Sequence, residues 1–155
     1  MAIGLFMSLL DTTIVATALF TIGEDFKAVE SINWVALAYT LSYLGCAVIF
    51  ARISDIVGRR NAYMSALIIF LGFSLGCGFA QTLEQLIALR VLQGVGGSGL
   101  YSLTFVILPE ITPFHMTQLI SGIAGMVVAM AGILGPLLGG IITQYASWRW
   151  IFWIK

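Results

Sequence analysis

Charge is scarce in this sequence: of its 155 residues only 9% are aspartate, glutamate, lysine or arginine, whereas 60% are hydrophobic. Soluble globular domains carry about 25% charged residues, and a folded chain of this size has too much surface to cover with so few. The seven acidic and seven basic side chains cancel, so no net field attracts nucleic acid. The composition therefore excludes an ordinary soluble domain and a nucleic-acid-binding protein.

Residues that bind metals or perform catalysis are also rare. Cys46 and Cys77 lie in apolar runs without C-x-x-C spacing or a neighbouring histidine, so we interpret both as small core or lipid-facing residues and predict no metal site. No carboxylate pair in a catalytic spacing and no nucleophile beside a base is recognisable. We assign no role to Glu110 or His115, which lie in a proline-bounded link. We expect no cofactor and no enzymatic activity.

Long apolar runs are what the sequence has in abundance. Because a helix rises about 1.5 Å per residue, about 20 apolar residues cross a hydrocarbon core roughly 30 Å thick. Five such runs and the start of a sixth cover about residues 1–22, 34–51, 61–83, 85–108, 118–143 and 148–155. The sequence therefore predicts an all-α, polytopic transmembrane helix bundle. The abrupt start and the short sixth run lead us to expect a truncated or partial chain.

Charges in the short links predict the orientation of these helices. The link after the second run carries Arg52, Arg59 and Arg60. The first link is mainly acidic, with Lys27 opposed by Glu24, Asp25 and Glu30. Arginine and lysine favour the cytoplasmic side of a membrane. We therefore expect the N-terminus to be cytoplasmic.

The first run contains one charged residue, Asp11, which lies about 15 Å from either membrane face by the helix rise. Ser8 and Thr12 flank it on the same side of the helix. A carboxylate inside a membrane is costly and is by default a candidate for a proton or substrate pathway. A structural hydrogen bond, or an ion pair with Arg90, is an equally strong interpretation.

The fourth run also contains one charge. Its residues Arg90, Gln93, Gly94 and Gly97 are spaced i, i+3, i+4 and i+7, which places them on one face of a helix. A cation in a span normally faces a cavity or a partner, although an arginine near the interface can instead extend its side chain to the headgroups. Residues 94–99 also match G-x-G-x-x-G, but without the strand and acidic residue of a dinucleotide site. We predict no nucleotide site there.

Two further patterns stand out. The second link places Asp55, Gly58, Arg59 and Arg60 in a tight turn; a generic cytoplasmic loop would explain the arginines but not the aspartate and glycine at fixed offsets. The fifth run carries a stripe of small residues: Gly125, Ala129, Gly132, Pro136, Gly139 and Thr143. Such a stripe allows close helix approach in lipid, and a structural seam explains it as well as any mechanism does. Pro136 is expected to bend the helix.

Taken in order, these motifs resemble the major facilitator superfamily, and the resemblance runs from about Leu10 to Ile154. The segment A-R-I-S-D-I-V-G-R-R resembles the loop G-x-L-a-D-r-x-G-r-k, with Ala51 in place of the first glycine. The resemblance implies that the matching residues control the switch between inward- and outward-open states: Asp55, Gly58, Arg59 and Arg60. The segment L-I-A-L-R-V-L-Q-G-V-G resembles l-x-x-x-R-x-x-q-G-x-g, which implies proton coupling through Arg90 and a place for Gln93 in the same pathway.

The remaining motifs indicate a group within the superfamily. A-G-I-L-G-P-L-L-G-G resembles the antiporter motif g-x-x-x-G-P-x-x-G-G, and its matching residues are Gly135, Pro136, Gly139 and Gly140. L-D-T-T-I-V-A-T-A-L resembles L-D-x-T-I-V-N-V-A-L of the fourteen-span drug:proton antiporters, with Ala16 in place of asparagine. S-W-R-W-I-F is similar to a segment at the same place in that group, especially in its fungal members. We also expect residues 148–153 to form an aromatic belt at the outer interface.

The resemblance implies a fold and a function. The chain would form most of the N-terminal half of a transporter, in which two inverted three-span repeats surround a midplane site. Its partners would be the lipid bilayer, the missing C-terminal half, a small-molecule substrate and protons. The implied function is proton-coupled export of small amphipathic compounds or drugs across the plasma membrane or, as a second option, the vacuolar membrane. The alternative is a truncated membrane fragment with no transport activity of its own, because alternating access needs two halves.

Overall fold

The structure, a computed structural model, describes residues 2–27 and 31–154 and is all-α within them. Its helices are α1 (Ala2–Phe26), α2 (Asn33–Val57), α3 (Arg59–Gly78), α4 (Leu83–Ile111), α5 (Thr117–Tyr145) and α6 (Trp150–Trp153), with a 3-10 turn, Phe114–Met116, before α5. In the described ranges, α1 to α5 are long and apolar enough to cross a membrane. The predicted fold class is therefore confirmed. Three residues of the predicted runs and links lie outside the described ranges: Met1 of the first run, Glu30 of the first link and Lys155 of the sixth run.

Gly58 alone separates α2 from α3. Its φ angle is +96°, a left-handed conformation that glycine adopts without the steric penalty of a β-carbon. The Gly58 N–H donates to the Ser54 carbonyl, and the Ala62 N–H donates to the Gly58 carbonyl. The backbone groups at this turn are thereby satisfied, which allows α3 to begin directly at Arg59.

α4 packs against α1, α2 and α3, and its most extensive contacts are with α2 and α3. A β-carbon added at Gly96 would lie 2.6 Å from the backbone nitrogen of Phe70, and one added at Gly99 would lie 2.9 Å from Cδ1 of Phe50. Apolar helices gain little from leaving lipid tails, so close backbone approach and van der Waals contact hold them together. The glycine-rich stretch that matches G-x-G-x-x-G is thus a packing surface inside a helix.

α5 packs mainly on α1. The contact face of α5 consists of small buried residues at every fourth position: Ala131, Gly135 and Gly139. The Thr13 hydroxyl of α1 donates to the Ala131 carbonyl at 3.2 Å. Apart from Gly139 and the half-buried Thr143, the predicted small-residue stripe is exposed: Gly125, Ala129, Gly132 and Pro136. The seam with α1 therefore lies on a face rotated from most of that stripe. α5 continues as a helix through Pro136.

The aromatic segment at the end of the chain is only partly exposed. Trp148 is buried, and its Nε1 donates to Oδ2 of Asp25 at the end of α1, at 2.8 Å. The Ser74 hydroxyl of α3 donates to the carbonyl of Phe152, at 3.1 Å. Trp150 and Trp153 are exposed, as an interfacial belt requires. Residues 148–153 therefore also connect the end of the described chain to α1, through Trp148, and to α3, through Phe152.

We expect Gly96→Ala to destabilise the bundle, because the new methyl group would meet backbone atoms of α3, 2.6 Å from the Phe70 nitrogen and 2.9 Å from the Ala66 carbonyl oxygen. Such overpacking costs about 1–3 kcal/mol. Gly72→Ala on α3 is the matched control, since no atom lies within 4 Å of its added β-carbon. Thermal unfolding in detergent micelles measures the difference. Equal melting temperatures for the two variants would contradict the assignment of Gly96 to a close helix contact.

Candidate functional site

Two opposite charges meet inside the bundle. Arg90 of α4 is 1% exposed and Asp11 of α1 is 0% exposed, and Arg90 Nη1 lies 2.7 Å from Asp11 Oδ2. The Arg90 side chain therefore does not extend to the outer interface. Of the interpretations that the sequence left open, the structure shows the ion pair between Asp11 and Arg90.

Gln93 links both charged groups, because it lies three residues after Arg90 and hence on the same face of α4. Its Nε2 donates to Asp11 Oδ1 at 3.1 Å, and its Oε1 accepts from Arg90 Nη1 at 2.8 Å. The Cys77 thiol of α3 donates to the same Oε1 at 3.6 Å. Buried charges are tolerated when they are paired and their remaining polar atoms are hydrogen-bonded. We call Asp11, Arg90 and Gln93 the buried polar cluster.

Ser8 fixes α1 against α4 one turn before the carboxylate. Its hydroxyl donates to the carbonyl of Gly97 at 3.3 Å, and both residues are buried. The Thr12 hydroxyl, by contrast, donates to the carbonyl of Leu9 in its own helix, at 2.7 Å. Of the two polar residues that flank Asp11, Ser8 hydrogen-bonds to another helix and Thr12 hydrogen-bonds within its own.

Aromatic rings complete the surroundings of Arg90. The guanidinium carbon lies 4.3 Å from the centroid of the Tyr39 ring and 5.7 Å from that of Phe152. Sequence reasoning did not single out Tyr39, and it assigned Phe152 to the interfacial aromatic belt of residues 148–153, whereas Phe152 is buried. The only signal for Tyr39 was a polar-ended aromatic residue within the charge-free second run, and many spans contain such a residue without a charged partner.

A second group of charged residues lies where α2 ends, α3 begins and α4 ends. Arg59 Nη1 lies 2.7 Å from Asp55 Oδ1 and also donates to the Ser54 hydroxyl, while Nη2 and Nε donate to the two oxygens of Glu110 at 2.6 Å and 3.0 Å. This bidentate geometry ties the turn between α2 and α3 to the last turn of α4. Arg60 is exposed, and in residues 2–27 and 31–154 it forms no ion pair.

Glu110 is the member of this second group that sequence reasoning missed. It lies in α4, whereas the sequence placed it in a link. A signal existed, because Glu110 is an acidic residue just past the fourth run, on the same predicted side of the membrane as Arg59. We call Asp55, Arg59 and Glu110 the cytoplasmic-end cluster, after the predicted orientation.

The four residues of the antiporter-like motif face two directions. Gly135 packs against Thr13 and Gly139 against Thr17, both on α1. Pro136 is exposed, and no atom lies within 4 Å of a β-carbon placed on Gly140. Gly135 therefore contacts α1 at Thr13, two positions after Asp11 of the buried polar cluster.

A cleft of about 190 Å³ separates the end of α4 from the start of α5. Its lining is mostly apolar and includes Phe105, Leu108 and Val128, with hydroxyl groups from Thr112 and Ser121. A smaller cavity of about 60 Å³ shares Leu108 with it and extends to α1. Among the described residues, no group of three His, Cys, Asp or Glu side chains is placed to hold a metal ion.

The buried ion pair predicts a strongly non-additive effect on stability. Asp11→Leu or Arg90→Met alone leaves one buried charge without its partner, which costs about 3–5 kcal/mol. The double variant replaces both charges by apolar groups, so we expect it to be more stable than either single variant. Thermal unfolding of all three variants in detergent provides the test. Strictly additive losses would show that the two residues do not act as a pair.

Comparison with known proteins places the chain in a family. A family model described as Major Facilitator Superfamily matches residues 1–154. Multidrug resistance protein 3 from Bacillus subtilis (strain 168) is 39% identical over 153 residues, which cover 99% of this chain and 30% of the relative. MFS-type transporter FPY5 from Fusarium mangiferae is 35% identical over 155 residues, which cover 100% of this chain and 26% of the relative.

A further relative is MFS-type efflux pump MMF1 from Pseudozyma antarctica (strain T-34), which is 35% identical over 151 residues, covering 97% of this chain and 28% of the relative. The chain thus spans less than a third of the length of these curated relatives. All are named as transporters, efflux pumps or resistance proteins, and the prediction that the chain is not an enzyme is confirmed. Family match, order of motifs and helix bundle agree: the chain is a multi-pass membrane protein that belongs to the major facilitator superfamily of transporters.

Proposed function

We propose that this chain is the N-terminal part of a proton-coupled antiporter that exports small amphipathic compounds or drugs. The observation that carries the proposal is the buried polar cluster, in which a carboxylate with no exposed surface is paired with an arginine across two membrane-spanning helices. Ionisable residues in this situation mark substrate paths and proton relays, because burying them has a cost that packing alone does not require.

Protonation of Asp11 has a direct structural consequence. A proton on a carboxylate oxygen removes the negative charge that lies 2.7 Å from Arg90 Nη1. In a low-dielectric interior that attraction is large, so its loss changes the relative energies of conformations that hold α1 and α4 together or apart. Because proton binding and conformation are linked, a substrate that prefers the other conformation is coupled to proton movement.

The relatives and the fifth helix support export and antiport. Multidrug resistance protein 3 and Multidrug transporter protein MdtP, both from Bacillus subtilis (strain 168), are named for drugs, and MMF1 is named an efflux pump. The motif with Gly135, Pro136, Gly139 and Gly140 resembles that of antiporters. The cleft beside α4 has an apolar lining with hydroxyl groups at Thr112 and Ser121, but at about 190 Å³ it is smaller than the roughly 300–1,000 Å³ of a drug-sized pocket, so it would supply only part of a substrate site.

The cytoplasmic-end cluster suits a role in the conformational switch. Gly58 permits the tight turn, and Arg59 then joins Asp55 to Glu110 at the end of α4. Such exposed pairs add little stability because solvent screens them, so their contribution lies in fixing the shape of the turn. We propose that this turn, including Arg60, meets the C-terminal half of the transporter on the cytoplasmic side, with the N-terminus also cytoplasmic.

Transport requires both halves, since alternating access moves one repeat or bundle against another. The proposal therefore concerns a full-length transporter that contains this chain, in the plasma membrane or the vacuolar membrane. The alternative is a membrane fragment without transport of its own. Expression of the chain alone, with and without a separately expressed C-terminal half, distinguishes the two by whether transport appears.

We expect Asp11→Asn in the full-length transporter to reduce proton-driven export to the level of empty vesicles, because asparagine fills the same space but binds no proton. Uptake of a fluorescent amphipathic dye into inverted vesicles, driven by an imposed pH gradient, is the measurement. Glu24→Gln is the matched control, since it neutralises an exposed carboxylate on the same helix. Undiminished, proton-driven uptake by Asp11→Asn would remove Asp11 from the mechanism.

We expect Arg59→Glu to slow transport with little change in melting temperature, because it breaks exposed ion pairs at the turn. Adding Glu110→Arg restores opposite charges at the two positions and should recover part of the rate. Arg52→Ala serves as control, since Arg52 is exposed and is not among the described ion-paired residues. If the double variant is as slow as Arg59→Glu alone, the contact with Glu110 does not matter for the switch.

A further inference from the structure

On one side of the buried polar cluster, Arg90 faces aromatic rings and not charged groups. Tyr39 of α2 is 2% exposed and Phe152 of α6 is 1% exposed, and both rings lie within the distance of a cation–π interaction from the Arg90 guanidinium. A ring face attracts a cation most strongly where water is absent. Arg90 therefore has two kinds of partner: the carboxylate of Asp11 and the faces of two rings.

The contact of Tyr39 with Arg90 is made by the ring and not by the hydroxyl group. Among the described residues, neither the buried Tyr39 hydroxyl oxygen nor the Nε of Arg90 has a partner in hydrogen-bond geometry, although the Ser8 side chain lies close enough to interact with that hydroxyl. The contact with the guanidinium is through the ring face at 4.3 Å.

α4 is shaped around this tyrosine. A β-carbon on Gly97 would lie 2.6 Å from the Tyr39 hydroxyl oxygen, and one on Gly94 would lie 2.7 Å from the Tyr39 carbonyl oxygen. A larger residue at Gly94 would meet the α2 backbone, and one at Gly97 would meet the end of the Tyr39 side chain, so either would disturb the position of the ring against the guanidinium. The two glycines on the same face as Arg90 therefore make room for the ring that covers it.

Asp11 is the acidic group that faces Arg90. The titratable groups around the cluster are Asp11 on α1, Tyr39 and Tyr43 on α2, and Cys77 on α3. Between their first and last residues, α5 and α6 contain no Asp, Glu, Lys or Arg. When a proton neutralises Asp11, Arg90 has no counter-ion left in the cluster, and the ring faces and Gln93 Oε1 are what remains to hold it.

From this geometry we infer that Tyr39, backed by Phe152, is a positioning residue that keeps the Arg90 cation in the cluster while Asp11 carries a proton. The inference rests on the proposed proton coupling. The ring attraction is strongest when the carboxylate is neutral, because the guanidinium then settles onto the ring face. The rings thus stabilise the protonated form of the cluster, and the arginine is in place to re-form the ion pair when the proton leaves.

The first test is the pH profile of transport by the full-length protein. Removing the ring destabilises the protonated form relative to the ionised form, so more acid is needed to protonate the cluster. Tyr39→Leu should shift the pH of half-maximal proton-driven dye uptake by about half a unit to one unit toward acid. Tyr39→Phe retains the ring and should leave the midpoint within about 0.2 units of the unmodified protein.

A trifluorinated phenylalanine at position 39 keeps the experiment decisive if Tyr39→Leu does not fold. Fluorine withdraws electron density from the ring face while leaving the size of the ring nearly unchanged. The shift toward acid should then appear relative to Tyr39→Phe, with the same amount of folded protein. An unchanged midpoint in the fluorinated protein would overturn the inference, because ring packing alone would account for Tyr39.

The second test needs no transport and therefore separates this inference from the proposed function. In the chain in detergent, Asp11→Asn imitates the neutral carboxylate, so Arg90 should depend more on the ring. We expect Tyr39→Leu, or the fluorinated ring compared with Tyr39→Phe, to lower the melting temperature by about 2–4 °C more in the Asp11→Asn background than in the unmodified chain.

Phe50→Leu is the matched control for this thermal test. Phe50 is a buried aromatic residue that also packs on α4 from α2, but it lies against Gly99 and away from Arg90. Phe50→Leu should lower the melting temperature by the same amount in both backgrounds. If the Tyr39 variants also lower it equally in both backgrounds, the inference is overturned even if proton-coupled transport is established. A larger loss of melting temperature in the Asp11→Asn background shows that the ring holds Arg90 when the carboxylate is neutral, and this result does not depend on transport.

Discussion

A carboxylate and a guanidinium that are both buried inside this bundle impose its main constraint. Removing both charges from water is expensive, and only close contact with further hydrogen bonds offsets the cost. Asp11 and Arg90 meet at 2.7 Å, and Gln93 donates to one and accepts from the other. α1 and α4 must therefore stay in register at this level, and the neighbouring helices pack around a fixed point.

Glycine on α4 makes that packing possible. In lipid there is little hydrophobic gain when helices associate, so stability depends on how closely surfaces fit. Gly94 and Gly97 admit Tyr39 from α2, while Gly96 admits the backbone of α3 at Phe70. Because these glycines have no side chains, the helices pack closely and the Tyr39 ring lies against Arg90. The glycine-rich face of α4 therefore affects both the packing and the electrostatics of the buried polar cluster.

The two charged clusters obey different physics. The buried polar cluster lies in a low-dielectric environment, where the loss of one charge changes energies by several kcal/mol. The cytoplasmic-end cluster of Asp55, Arg59 and Glu110 is largely exposed, so solvent and salt screen it, and geometry is its main contribution. Under the proposed function, the first cluster would respond to a proton, and the second would hold a turn in shape against the other half of the transporter.

Apolar run length and isolated charges are local features of a chain, so the amino-acid sequence alone predicts the helical, membrane-spanning architecture, the family resemblance and the charged residues of interest. It left open whether Asp11 and Arg90 meet, since their pairing depends on the distance and rotation between two helices. Glu110, Tyr39 and the face of α5 that contacts α1 emerged only from the tertiary structure, for the same reason. Helix periodicity specifies which residues share a face, whereas contact between side chains decides which face meets which neighbour.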